Sequence, residues 1–173
     1  MIEDEFLYFA YGCDMSLRRL RAAGRAPTAR AYSVGWIDGH RLDFDKLGGT
    51  PEFAFGLCDS TRTGDLRDRV YGVLCWISEA DMESLHRTEA RARGYRITEI
   101  DVRTEQGVLT AVAYVAREKR AGLQPLDWYL QHVLRGAREA GLPAHYIGEI
   151  ARIDALGDPD SQRAMKELSI YRD

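Results

Sequence analysis

The chain has 173 residues, 45% of them hydrophobic and 29% charged, with a formal net charge of −3. That length fits about one domain with a real core, so residues 1–173 are read as a single unit, and the mixture excludes a disordered or fibrous chain. The acidic balance argues against a protein that works by neutralising nucleic-acid phosphates. Three cysteines at 13, 58 and 75 are odd in number and irregular in spacing, which fits neither a disulfide framework nor a zinc site. The start, MIEDEFLYFAYG, carries no basic leader, and no apolar run approaches the ~18 residues of a membrane span. The expectation is a soluble, cytoplasmic protein.

Taken in chain order, Glu5 to Tyr11 is an apolar and aromatic run ending at Gly12, which suits a strand covered on both faces. Asp14 or Ser16 can cap a short helix through Leu17 and Leu20 to Ala23. Residues 31–37 and 40–44 flank Asp38-Gly39, a hairpin-turn signal. Leu47–Pro51 reads as loop, Glu52–Cys58 as strand, and the polar stretch 59–68 as a surface loop. Arg69–Ile77 is the strongest strand pattern. Ser78 with Asp81 forms a capping box that opens a helix turning Met82 and Leu85 inward. Residues 95–103 and 108–116 flank a turn at 104–107. Leu126, Tyr129, Leu130, Val133, Leu134 and Ala137 recur at helical spacing up to Gly141-Leu142-Pro143, and Ile147, Ile150, Ile153 and Leu156 give a further short apolar face. Strands first and helices later predict an α+β fold, with helices against a mixed or barrel-like sheet.

Three places can carry chemistry. In the loop Tyr11-Gly12-Cys13-Asp14-Met15, a buried strand ends in glycine at a helix start. That geometry gathers backbone N–H groups into an anion pocket, although many such turns bind nothing. Glu89 lies one turn after Leu85, so it faces inward if Leu85 does. Partial desolvation would move it toward the range of a general acid or base, and the plain alternative is an ion pair with Arg87, Arg91 or Arg93. Cys13 beside a helix start would have a lowered pKa and could act as a nucleophile. Cys58 and Cys75 fall in apolar strands and read as packing residues. The four histidines lack metal-ligand spacing, and no phosphate-binding glycine motif is present, so neither metal nor cofactor is expected.

Together these pieces resemble the γ-glutamylcyclotransferase family. Tyr8-Phe9-Ala10-Tyr11-Gly12-Cys13-Asp14-Met15 resembles the opening motif YFAYGSNM, and Val70-Tyr71-Gly72-Val73-Leu74 resembles the central strand. Ser84-Leu85 ahead of Glu89 resembles the segment of the catalytic glutamate, with Gly94-Tyr95 downstream. Ala113-Tyr114-Val115 and the stretch from Pro125 to Tyr146 match later elements in order. The resemblance implies a small β-barrel flanked by helices and one pocket where the opening loop meets the glutamate. It implies release of 5-oxoproline from a small γ-glutamyl substrate, with no cofactor, metal, nucleic acid or membrane. Glu89 would be the general acid/base, and Tyr8, Tyr11, Gly12, Cys13, Asp14, Met15 and Tyr95 would meet the substrate. The backbone N–H groups of Gly12, Cys13 and Asp14 would hold its carboxylate.

The chain departs from the motif at Cys13 and Asp14, where the family has serine and asparagine. A carboxylate at Asp14 would repel the substrate's own carboxylate unless it turns away as a helix cap. Ala90 stands where glycine is common, and Arg91, Arg93 and Arg96 read as a solvated loop. The alternatives are a non-catalytic binding module with the same fold and a cysteine hydrolase using Cys13.

Overall fold

The computed structural model describes residues 4–92 and 94–172, with 91 and 92 described by backbone alone. Arg93 and the side chain of Arg91, noted above, thus lie outside the described residues. The apolar opening run forms β1 (Glu5–Ala10), whose burial deepens toward Phe9 and Ala10 as neighbours cover both faces. A short turn and α1 (Leu17–Leu20) follow, and then β2 (Arg30–Asp38), β3 (His40–Gly49), β4 (Ala54–Arg62) and β5 (Arg69–Ser78). Next come α2 (Glu79–Leu85), the hairpin β6 (Tyr95–Thr104) and β7 (Gly107–Ala116), and three helices, α3 (Asp127–Glu139), α4 (Ala144–Ala151) and α5 (Ser161–Leu168). No helix among the described residues is long and apolar enough to cross a membrane.

Five strands close into a barrel in the order β1-β5-β2-β6-β7. β5 is central and antiparallel to both neighbours, with Leu74 opposite Phe9 on one side and Ser33 on the other. β1 runs parallel to β7, which makes the barrel mixed. The β6–β7 hairpin is registered from Tyr95–Ala116 to Thr104–Gly107. The closures are thinner: among the described residues β1 meets β7 in register at Tyr8–Val112, and β2 meets β6 at Trp36–Arg103. Where β5 crosses β1 only glycine fits, since a Cβ on Gly72 would lie 2.4 Å from the Ala10 carbonyl oxygen. The expected α+β architecture, a small mixed barrel flanked by helices, is the observed one.

Four local expectations need correction. Asp38-Gly39 makes a turn but no hairpin. The type I′ turn that Asp-Gly favours wants positive φ at both central positions, and only glycines adopt it among the described residues. Gly39 (φ 71°) instead donates its N–H to Asp68, sending β3 away to pair with β4 in a separate two-stranded sheet. The polar stretch 59–68 begins inside β4, and Asp59 is fully buried. Its carboxylate accepts from the Ala116 N–H at 2.8 Å and pairs with Lys119, so residues 59–62 are strand and only 63–68 form the expected surface loop. Ser78 caps α2 by accepting from the Asp81 N–H at 3.3 Å, but the Asp81 carboxylate bonds Thr28 and does not close the box. Finally, Leu47–Pro51, read as loop, is strand as far as Gly49, because Leu47, Gly48 and Gly49 pair with β4; α5, which had no forecast, buries no residue of its sequence SQRAMKEL fully.

Candidate functional site

β1 delivers the opening loop to one end of the barrel. Beyond Ala10 the chain enters a single 3-10 turn, Cys13–Met15, with Met15 N–H donating to the Gly12 carbonyl at 3.1 Å and Ser16 N–H to Cys13 at 3.3 Å. The N–H groups of Gly12, Cys13 and Asp14 stand ahead of the Met15 N–H, the first donor within this turn. Gly12 meets β4 closely: a Cβ there would lie 2.9 Å from the Cβ of Cys58. The turn rests on α3 through Gly136, whose missing Cβ would fall 2.4 Å from the Met15 carbonyl carbon.

Glu89 arrives from the other side. α2 does not end at Leu85 but continues as a π-helical stretch, His86–Ala92, with Glu89 at its middle. Such wider turns are rare and often sit at functional sites. Leu85 and Glu89 face inward together, at 0% and 6% exposure, as their spacing predicts.

Glu89, Tyr8, Tyr11, Gly12, Cys13, Asp14 and Tyr95 line one narrow cavity of about 40 Å³. Cys58, Tyr114 and Tyr129 complete its wall. Of the residues singled out from the sequence, Met15 stands apart. It is buried beneath α3 and lines a different cavity of about 200 Å³ with Tyr32 and Val34. Sequence reasoning passed over Tyr129 and Cys58 as core, and both are core as well as wall. It also passed over Arg25, which no periodicity or motif marks. A much larger cavity, about 710 Å³, lies between Arg67, Tyr71 and α4 and contains none of these residues.

Polar contacts organise the cavity. Arg25 Nη2 donates to both oxygens of Asp14 (2.5 and 2.7 Å) and to Glu89 Oε1 (2.9 Å), and all three side chains are buried. Tyr8 Oη donates to Asp14 Oδ2 at 3.1 Å. Asp14 therefore does not cap the helix; a charged partner holds its carboxylate instead. Tyr11 Oη donates to the Tyr114 carbonyl at 2.5 Å, and Tyr95 Oη donates to the Cys58 carbonyl at 2.7 Å. The protons of these two hydroxyls are spent on backbone, so Tyr11 and Tyr95 offer a ligand an acceptor oxygen and not a donor.

Burial pushes the hydroxyls of Tyr8, Tyr11 and Tyr95 well above the usual tyrosine range, with nearby acidic groups adding to it at Tyr8. They stay protonated. Burial alone would lower Arg25, but Asp14 and Glu89 more than offset it and the guanidinium remains charged. Burial also raises the Cys13 thiol, against the lowering pull of Arg19. The expected acidic thiol at this helix start is thus not found: loss of hydration outweighs the dipole of one short turn.

An AIG2-like family model matches residues 69–150. A human γ-glutamylcyclotransferase is 28% identical over 154 residues, covering 88% of this chain and 80% of that protein. A solved structure of a γ-glutamyl cyclotransferase superposes with a TM-score of 0.82 at 25% identity, over 98% of this chain and 100% of the other. An uncharacterized human protein superposes equally well, at 26% identity and with the same coverage. In sequence and in fold, the chain is similar to γ-glutamylcyclotransferases.

Proposed function

We propose that this protein is an enzyme that releases 5-oxoproline from a γ-glutamyl amine, amino acid, peptide or γ-glutamyl-protected metabolite by intramolecular aminolysis. The observation that carries the reading is the placement of the Glu89 carboxylate in one cavity with the Gly12–Asp14 turn. The α-ammonium of the substrate gives a proton to Glu89. The freed amine attacks its own γ-carbonyl carbon, and the tetrahedral centre collapses with cleavage of the amide C–N bond. Glu89 passes its proton to the departing amine. The attacking nitrogen sheds a second proton as it becomes the lactam N–H, and Glu89 relays this one as well to the leaving amine, which departs as an ammonium, so the step balances without an oxidant or co-reactant.

The opening turn's N–H groups suit the α-carboxylate, and folding the glutamyl chain into a ring-closing pose supplies much of the acceleration, since well-oriented internal reactions reach effective molarities of about 10⁵ M or more. Arg25 holds the Asp14 carboxylate, which eases its repulsion of the substrate's own carboxylate. The raised Cys13 thiol disfavours a cysteine hydrolase. All three thiols are free, in keeping with a cytoplasmic setting.

The test is mass-spectrometric detection of 5-oxoproline across a γ-glutamyl library, with Glu89→Gln as control. Product from the native protein and none from folded Glu89→Gln supports the reading. Undiminished product from Glu89→Gln removes Glu89 from its role. A melting shift with γ-glutamyl compounds but no product favours a binding module.

A further inference from the structure

Arg25 is a buried cation that takes no part in the proton transfers of the aminolysis. It sits between two carboxylates from different elements, Asp14 on the opening turn and Glu89 on the π-helical stretch. Its own backbone is fixed on both sides. The Gly24 carbonyl accepts from Ser84 Oγ at 2.9 Å, and the Thr28 N–H donates to Asp81 Oδ2 at 2.8 Å. Both partners belong to α2, the helix that runs on into Glu89. The segment carrying the guanidinium is therefore stitched, one residue before it and three after, to the helix carrying the carboxylate it holds.

The geometry matters because a carboxylate on a wide helical turn has rotamers to choose from, and a proton shuttle must point one oxygen at the reacting nitrogen throughout. Arg25 engages Oε1 of Glu89. Asp14 in turn fixes the guanidinium, taking its Nη2 with both oxygens. Tyr8 steadies Asp14 from the far side.

We propose that Arg25 is a positioning residue for Glu89, and that Asp14 acts through it as the anchor that holds the guanidinium in place. Asp14 is then not a damaged substrate contact but part of a brace, Tyr8–Asp14–Arg25–Glu89, that aims the acid/base group. This rests on the reading of Glu89 as the acid/base of the cyclisation.

The test compares Arg25→Lys, Asp14→Asn and the double variant with the native chain. The probes are γ-L-glutamylglycine, γ-L-glutamyl-L-alanine and γ-L-glutamyl-p-nitroanilide, with rates corrected for the folded fraction by circular dichroism. Lysine keeps the charge but loses the planar fork, so kcat falls about 100-fold while KM changes little, the scale expected for a misplacement of about an ångström. Asp14→Asn keeps the shape and lowers kcat less. The double variant falls no further than Arg25→Lys, because the two residues act in series. A fold-supporting role alone would lower the folded fraction and leave kcat per folded molecule intact, and that result overturns the proposal.

A second readout needs no turnover. The ¹³C carboxyl resonance of Glu89, assigned by its loss in Glu89→Gln, shifts and broadens at pH 7 in Arg25→Lys and in Asp14→Asn. An unchanged resonance in both overturns the brace even if no probe reacts. Native-like activity of Glu89→Gln sinks the acid/base reading and leaves the resonance to decide the brace by itself.

Discussion

Tyr95 and Tyr129 grip the two ends of one residue: Tyr95 Oη donates to the Cys58 carbonyl at 2.7 Å, and Tyr129 Oη accepts from the Cys58 N–H at 2.9 Å. β6 and α3 thereby hold β4 against the cavity through its backbone, which fixes the wall whatever the side chain at 58.

Tyr129→Phe leaves the Cys58 N–H buried without that partner. The expected loss is about 1–3 kcal/mol, since an unsatisfied buried donor bears its full desolvation cost. Urea unfolding of the two proteins measures it. A change within error would show that another acceptor replaces the hydroxyl.

Asp59→Ala strips the buried partner of Lys119 and the acceptor of the Ala116 N–H. Lys119 is exposed and hydrates, so the main loss is the buried Ala116 N–H left without its acceptor, about 1–3 kcal/mol. The variant should melt well below the native protein and lose the docking of the β3–β4 sheet on β7, seen as faster amide exchange at Ala116.

Gly72→Ala puts a methyl group 2.4 Å from the Ala10 carbonyl oxygen and 2.7 Å from the Phe9 ring. Overpacking of this kind costs about 1–3 kcal/mol. Because Ala10 leads into the cavity loop, turnover per folded molecule should fall as well. Thermal melts and 5-oxoproline assays separate the two effects.

Acid sensitivity follows from Glu167. His132 beside it and the Arg19 guanidinium hold its carboxyl down to about 2 in the folded chain. An unfolded chain takes the proton near the ordinary glutamate value, so this group stabilises the fold above that value and loses its contribution as the pH falls toward 2. Burial also lowers His132, which resists a proton the unfolded chain accepts near pH 6.5, and adds a loss of the same sign higher up. Glu167→Gln should be less stable at pH 7 by about 1–2 kcal/mol, the value being reduced for the partial exposure of the group. Its stability should also decline less steeply between pH 5 and 2. Urea midpoints against pH for both proteins provide the comparison.

The sequence was most legible where one strand or helix carries its own pattern. The apolar run of β5, the β6–β7 hairpin and the stripe on α3 declare themselves, and so does the glycine that ends the first strand. Glu89 could be placed inward from Leu85 alone, because i and i+4 share a face. What stayed hidden depends on partners far along the chain. Asp59 looks like surface until Lys119 and the Ala116 N–H meet it. Arg25 looks like one more arginine beside a turn until Asp14 and Glu89 close on it from 11 residues before and 64 after. The π-helical winding of His86–Ala92 leaves no mark in composition, since the same residues suit an ordinary helix.

The two thin closures of the barrel have a mechanical consequence. Three strands bound along their length form one stiff plate, and the long terminal hairpin of the sheet forms another. The plates touch in register at Tyr8–Val112 and at Trp36–Arg103. A hoop built this way flexes by rocking about its joints while its staves stay rigid. Tyr8 stands on one of those joints and also lines the cavity, so any rocking of the plates there moves a wall of the crevice.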